Sequence, residues 1–135
     1  MNLNLTRGSD YRTRPSVRVR LVSDLGRIHE VSAIIDTGAE VSLFDRSAAF
    51  SLGINLDRAE EFILRGFGGS LSVAAPAERI EVQIMALPDL SARITPYFVA
   101  GVDDVFRNLI GLDVLESIDF GLSHRDRIAY FGLPR

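Results

Sequence analysis

The chain has 135 residues, a formal net charge of −3, 47% hydrophobic and 24% charged residues, and no cysteine. That size bounds it to one domain with a core of its own. The absence of cysteine excludes a disulfide framework, a thiolate metal site and a cysteine nucleophile. No stretch approaches the roughly 20 apolar residues of a membrane span, and the start, Met1-Asn2-Leu3-Asn4-Leu5-Thr6-Arg7, has no apolar core of a signal peptide, so a cytoplasmic, non-membrane protein is expected. The charge balance gives no broad basic field for nucleic acid. Lysine is absent, and with it any phosphate loop of the glycine-rich, lysine-bearing kind.

Residues 1–15 are polar and rich in arginine and read as an N-terminal arm that Pro15 ends, leaving 16–135 as the domain. Val17, Val19 and Leu21 alternate with Arg18, Arg20 and Val22, the period of a half-buried strand. Asp24, Gly26 and Arg27 mark a turn, and Ile28 to Ile35 forms the second strand of a hairpin. Val41 to Phe44 is a short strand, after which Asp45 caps a helix through Leu52 with Gly53 as its stop. Glu61 to Arg65 and Leu71 to Val73 flank Gly66-Phe67-Gly68-Gly69-Ser70, a hairpin around a glycine-rich turn.

Ile80, Val82 and Ile84 alternate with Glu81 and Gln83 as a further strand, followed by a loop around Pro88. Ile94 to Val99 is strand-like, and Pro96 within it favours an edge position. Leu109-Ile110-Gly111-Leu112 is a second apolar run ending at a glycine, Asp113 to Ser117 fits a short helix, and Ile118 to Leu122 with Ile128 to Phe131 close the domain. Many short strands and one or two short helices predict a small, mostly β, closed barrel.

The chemistry concentrates at Ala33-Ile34-Ile35-Asp36-Thr37-Gly38-Ala39-Glu40. A carboxylate at the end of a buried strand costs several kcal/mol to keep charged unless its surroundings compensate, so Asp36 is the candidate catalytic group. Asp and Gly are also common turn residues, and for the tripeptide alone an ordinary turn is the better reading, so the case rests on the rest of the chain. His29 and His124 lie in no carboxylate cluster with metal-ligand spacing, so neither a metal nor a cofactor is expected. Ser42 and Ser47 have no histidine near them in sequence to activate either.

Asp36-Thr37-Gly38 preceded by apolar residues and followed by Ala39 resembles the active-site motif of aspartic proteases, in the retropepsin-like (retroviral-type) branch. The second apolar run at Ile110-Gly111 and the glycine-rich hairpin between the two runs match the remaining landmarks of that family in order, over residues 16 to 131. Three features depart from the viral pattern: the flap reads Gly-Phe-Gly-Gly, Glu40 stands where Asp is usual, and the N-terminal arm is longer. The resemblance is closer to soluble bacterial relatives than to a virus.

The resemblance implies an aspartic endopeptidase. Thr37, Gly38 and Ala39 support the active-site loop, with Thr37 bonding across a dimer axis and Gly38 offering its N–H to the carboxylates. Glu40 and the flap residues Arg65, Gly66, Phe67, Gly68 and Gly69 contact substrate, and Ile110 and Gly111 pack behind the loop. Such chemistry needs two carboxylates and the chain has one Asp-Thr-Gly, so a homodimer pairing Asp36 of two copies is required. Asp113 is the other carboxylate at a comparable place, but it follows its glycine. The alternatives are a dimeric peptide-binding module of the same fold without catalysis and a processed fragment of a precursor.

Overall fold

The computed structural model describes residues 6–10, 14–66, 69–99 and 108–132. In chain order its elements are β1 (Thr6–Asp10), β2 (Ser16–Ser23), β3 (Ile28–Ile35), β4 (Leu43–Phe44), α1 (Arg46–Ser51), β5 (Glu60–Gly66) and β6 (Gly69–Ala75). There follow β7 (Ile80–Ile84), β8 (Ser91–Ile94), β9 (Tyr97–Val99), β10 (Leu109–Ile110), α2 (Leu112–Leu115), β11 (Asp119–Ser123) and β12 (Ile128–Gly132). Nine strands form one sheet in the order β5-β6-β9-β4-β10-β3-β2-β7-β8, and three form a second in the order β1-β12-β11. The large sheet curls into a half-barrel, the mostly β, barrel-type architecture with two short helices that the sequence predicts.

The alternation along β2 places Val17, Val19 and Leu21 inside, and β3 does the same with Val31, Ala33 and Ile35. The two strands pair antiparallel from Ser16↔Ile34 to Val22↔Ile28 around a turn that Gly26 completes at φ +78°. Their inward rows join Phe44, Leu52, Ile80, Val82, Ile84, Phe98 and Phe131 in the main core. A smaller cluster of Ala39, Leu43, Val73 and Leu109 is flanked by Ile34, Val41, Leu64, Leu71 and Tyr97. Ile34 is the neighbour of inward Ile35, so this second cluster lies on the other face of the sheet.

Asp45 caps α1 as expected, its carboxylate accepting from the Ser47 N–H at 3.0 Å, and Gly53 follows the helix at φ +72°.

Two expectations need correction. The stretch of the arm at Thr6–Asp10 is a strand, paired antiparallel with β12 from Thr6↔Phe131 to Asp10↔Ile128 across one irregularity between Arg7 and Ser9. Pro96 does not mark a single edge strand. It separates β8, which is an edge, from β9, which lies inside the sheet between β6 and β4. Proline cannot donate to a ladder, so one pairing stops there and the chain crosses to another.

Candidate active site

β3 delivers Asp36 from between two neighbours, antiparallel β2 and parallel β10, the latter matched as Leu109↔Ile34 and Ile110↔Ile35. The Ile34 N–H donates to the Asn108 carbonyl at 2.8 Å, and the Asp36 N–H to the Ile110 carbonyl at 3.0 Å. Thr37 and Gly38 then turn the chain. The Gly38 N–H donates to Asp36 Oδ1 at 2.9 Å, and the Ala39 N–H to the Asp36 carbonyl at 3.3 Å. A Cβ at Gly38 would stand 3.3 Å from that same carboxylate oxygen. Asp36 is half-buried, Thr37, Gly38 and Glu40 are exposed, and Ala39 is buried.

The far side of the loop is held by the second apolar run. The Leu112 N–H donates to the Ala39 carbonyl at 2.8 Å and the Asp113 N–H to the Glu40 carbonyl at 3.2 Å. Gly111 fits because it has no side chain: a Cβ there would lie 2.5 Å from the Ala39 carbonyl oxygen and 2.7 Å from that of Val41. Ile110 is fully buried in the main core beneath.

Ser42 and Asp113, considered in the sequence for other duties, bond to each other. The buried Ser42 hydroxyl donates to Asp113 Oδ1 at 2.6 Å and accepts from the Gly111 N–H at 3.0 Å. The Ser42 N–H donates to Asp113 Oδ2 at 2.9 Å, and Oδ1 also accepts from the Val114 N–H at 2.9 Å. Both carboxylate oxygens of Asp113 are thus committed to holding the loop to the start of α2. The sequence contained one signal for this: a serine directly before Leu43-Phe44 is headed for burial, and a buried hydroxyl needs a partner. The Asn108 side chain adds a further tie, its Oδ1 accepting from the Asp45 N–H at 2.7 Å.

Ser42→Ala will remove the hydroxyl from both bonds and leave the Gly111 N–H buried without an acceptor. The expected cost is about 1–3 kcal/mol, read as a lower urea midpoint at unchanged slope. An unchanged midpoint would show that the clasp holds nothing.

The hairpin β5–β6 pairs continuously from Glu60↔Ala75 to Gly66↔Gly69. Phe67 and Gly68 lie outside the described residues. Arg65, Gly66 and Gly69 are placed by their backbone at the end of that ladder, while Leu64 and Leu71 pack against the smaller cluster that includes Ala39. Hairpin and Asp36 loop therefore border one apolar surface, with the Phe62 and Tyr97 rings 6.3 Å apart on its flank. Among the described residues, no group of three or more Asp, Glu or His is arranged to hold a metal, and no helix is long and apolar enough to cross a membrane.

The family profile described as aspartyl protease matches residues 17–114. Among solved structures, a retropepsin-like aspartic protease from Rickettsia conorii is similar at 16% identity, with 95% of this chain and 99% of that chain covered and a TM-score of 0.62. The EIAV protease complexed with the inhibitor HBY-793 is similar at 15% identity, with 86% and 92% covered and a TM-score of 0.52. No curated protein sequence matches the chain. The profile spans well over half of the sequence and takes in both the Asp36 loop and the run that clamps it, and the chain belongs to the aspartyl protease family, with the retropepsin-like fold.

Proposed function

We propose that this protein is an aspartic endopeptidase whose site forms when two copies bring their Asp36 carboxylates together on a two-fold axis. The observation that carries this reading is the loop itself. Asp36 is fixed from behind by the Ile110 carbonyl and from its own turn by the Gly38 N–H, while Thr37 and Gly38 stand exposed in the single chain. A rigid carboxylate on a face with room for a second copy suits a shared dyad.

Two carboxylates in contact hold one proton between them, because like charges at that distance repel. The ionised Asp36 takes a proton from a water molecule, whose oxygen bonds to the scissile carbonyl carbon. The protonated Asp36 of the other copy gives its proton to the carbonyl oxygen. As the tetrahedral species collapses, the C–N bond breaks, the leaving amine takes up a proton from one Asp36, and the other Asp36 takes one back from a hydroxyl of the species, so that the dyad again holds one proton. Thr37 supports the pair across the axis. Ala39 with its apolar neighbours forms the cleft floor, and Glu40 at its rim holds substrate backbone. Residues 65–69 cover a peptide that lies extended like an added strand. The apolar cluster of Ile34, Val41, Leu64, Leu71 and Tyr97 favours large hydrophobic residues beside the scissile bond. No metal, cofactor or nucleic acid enters this scheme, and a cytoplasmic site of action fits a chain without cysteine.

The test is a mixed peptide library incubated with the protein across acidic to neutral pH and over a range of protein concentrations, read by mass spectrometry. Cleavage between apolar residues is expected, with activity per chain rising with concentration as dimers form. Silence at concentrations where light scattering shows a dimer would overturn the catalytic reading in favour of a binding module.

A further inference from the structure

We infer that the groove beside α1 holds the free C-terminus of a peptide that ends in a large apolar residue. An endopeptidase cutting between apolar residues makes such ends. The source of the occupant, the N-terminal fragment of a cleaved peptide, therefore rests on the protease reading, while the groove itself does not.

The groove lies beyond the end of β3 remote from Asp36. α1 and its cap turn Ala48, Ala49 and Leu52 into the main core, and Phe50, on the opposite side of the helix, stands 86% exposed. The helix closes with the Gly53 N–H on the Phe50 carbonyl at 3.1 Å and the Ile54 N–H on the Ala49 carbonyl at 2.9 Å. That closure sends Ile54 down into the core, with Leu56 half-buried against it. Phe50, Ile54 and Leu56 thus line an open groove of about 430 Å³. Ligand sites are commonly of this kind, apolar in the main with a few placed polar groups.

Arg27 is the placed polar group. Its N–H donates to Ser23 Oγ at 3.2 Å and its carbonyl accepts from the Ser23 N–H at 2.9 Å, which fixes its backbone. Its side chain lies across Gly53: a Cβ there would stand 3.0 Å from Nη1 and 3.1 Å from both Cδ and Cζ. Packing therefore orients this cation, and among the described residues its guanidinium has no hydrogen-bond or ion-pair partner. Arg46 and Asp57 also line the groove, so two of its three charges are positive. The Asn55 amide oxygen is already committed, accepting from the Asp57 N–H at 2.9 Å.

Spacing selects the occupant. Ile54 directly follows the glycine that Arg27 covers, so cation and apolar floor are one residue apart. A terminal carboxylate shares its Cα with the last side chain and meets both at once. An acidic residue inside an extended segment points to the face opposite its apolar neighbour. A guanidinium also suits a carboxylate, which it can bind through two parallel hydrogen bonds. The 8 residues of β3, about 27 Å of extended chain, separate this groove from the Asp36 loop, so a fragment held here leaves the cleft open.

The test titrates Asp36→Asn protein, in which the probe stays whole, with fluorescein-labelled Gly-Gly-Ser-Phe bearing a free C-terminus, followed by fluorescence anisotropy. Amidating the probe or introducing Arg27→Gln is expected to weaken binding about five- to tenfold, the worth of a partly solvated charge pair. Replacing the last residue of the probe by serine, or Phe50→Ser in the protein, should also weaken it. Amide NMR shifts on binding should fall on residues 46–57 and on Arg27. The inference is overturned if acid and amide bind alike, if the shifts fall on residues 36–40 instead, or if no binding appears up to millimolar probe. It also fails if an end-blocked peptide with an internal Glu-Phe binds as well as the acid. From a peptide library digested by wild type, the Asp36→Asn protein should retain fragments with new C-termini over those with new N-termini, and equal retention removes the product as occupant. Peptide acids bound in the groove of a chain that cleaves nothing would keep the groove and refute the protease reading. Cleavage without groove binding would do the reverse.

Discussion

Asp36→Asn will abolish peptide hydrolysis while leaving the fold intact. The amide oxygen of the substituted side chain can still accept the Gly38 N–H, which lies 2.9 Å from Oδ1 in the native loop, and the backbone bond to Ile110 does not involve the side chain. What is lost is the ionisable group that receives the proton of the attacking water. Acid–base catalysis of this kind contributes about 10²–10⁴-fold, so activity should fall by at least that range with an unchanged urea midpoint. Mixing sharpens the result. If each site needs Asp36 from two copies that pair at random, an equal amount of Asp36→Asn chain leaves about half of the wild-type activity, and a ninefold excess about a tenth. Wild-type activity indifferent to added variant would show that each chain works alone, and equal cleavage by wild type and variant would remove Asp36 from the chemistry.

The strands that carry the site were legible because their burial imposes a period. Val17, Val19 and Leu21, and later Ile80, Val82 and Ile84, alternate as half-buried strands must, and the structure buries all six. The same holds for Asp45 and Gly53, whose side-chain oxygen and missing Cβ set the limits of α1 locally. Pairings determined elsewhere were not legible. Thr-Arg-Gly-Ser-Asp at residues 6–10 has no apolar alternation, and it becomes a strand because the backbone of β12 offers it a ladder, which composition does not record. Ser42 and Asp113 are far apart in sequence and share no pattern. Only the folding of β10 against β3 and β4 brings them within 2.6 Å. Read alone, neither fitted a catalytic role, Ser42 for want of a histidine and Asp113 because it follows its glycine; together they satisfy one another and buttress the loop that holds Asp36.

Gly111→Ala will be among the most damaging single-methyl changes this chain can suffer. The φ of Gly111 is −110°, an ordinary value for any residue, so the penalty is one of space. The added Cβ would meet three backbone atoms at 2.5, 2.7 and 2.9 Å, namely the carbonyl oxygens of Ala39 and Val41 and the carbonyl carbon of Val41. None is the end of a flexible side chain. Either residues 39–41 move away from β10 or the run 109–112 moves away from the loop, and both routes stretch the bonds from Leu112 to Ala39 and from Gly111 to Ser42. Overpacking of this kind costs about 1–3 kcal/mol and can exceed it where backbone must shift, a large share of the roughly 5–15 kcal/mol that holds a domain together. Gly38→Ala is the natural comparison, since its Cβ would meet a single side-chain oxygen at 3.3 Å. It should leave the urea midpoint nearly unchanged and crowd the Asp36 carboxylate, so that activity falls more than stability. Gly111→Ala should lower both, with the loss of activity persisting at temperatures where the variant remains folded, because the displaced loop carries Asp36. A Gly111→Ala protein with wild-type midpoint and wild-type cleavage would mean that the second apolar run does not set the position of the catalytic loop.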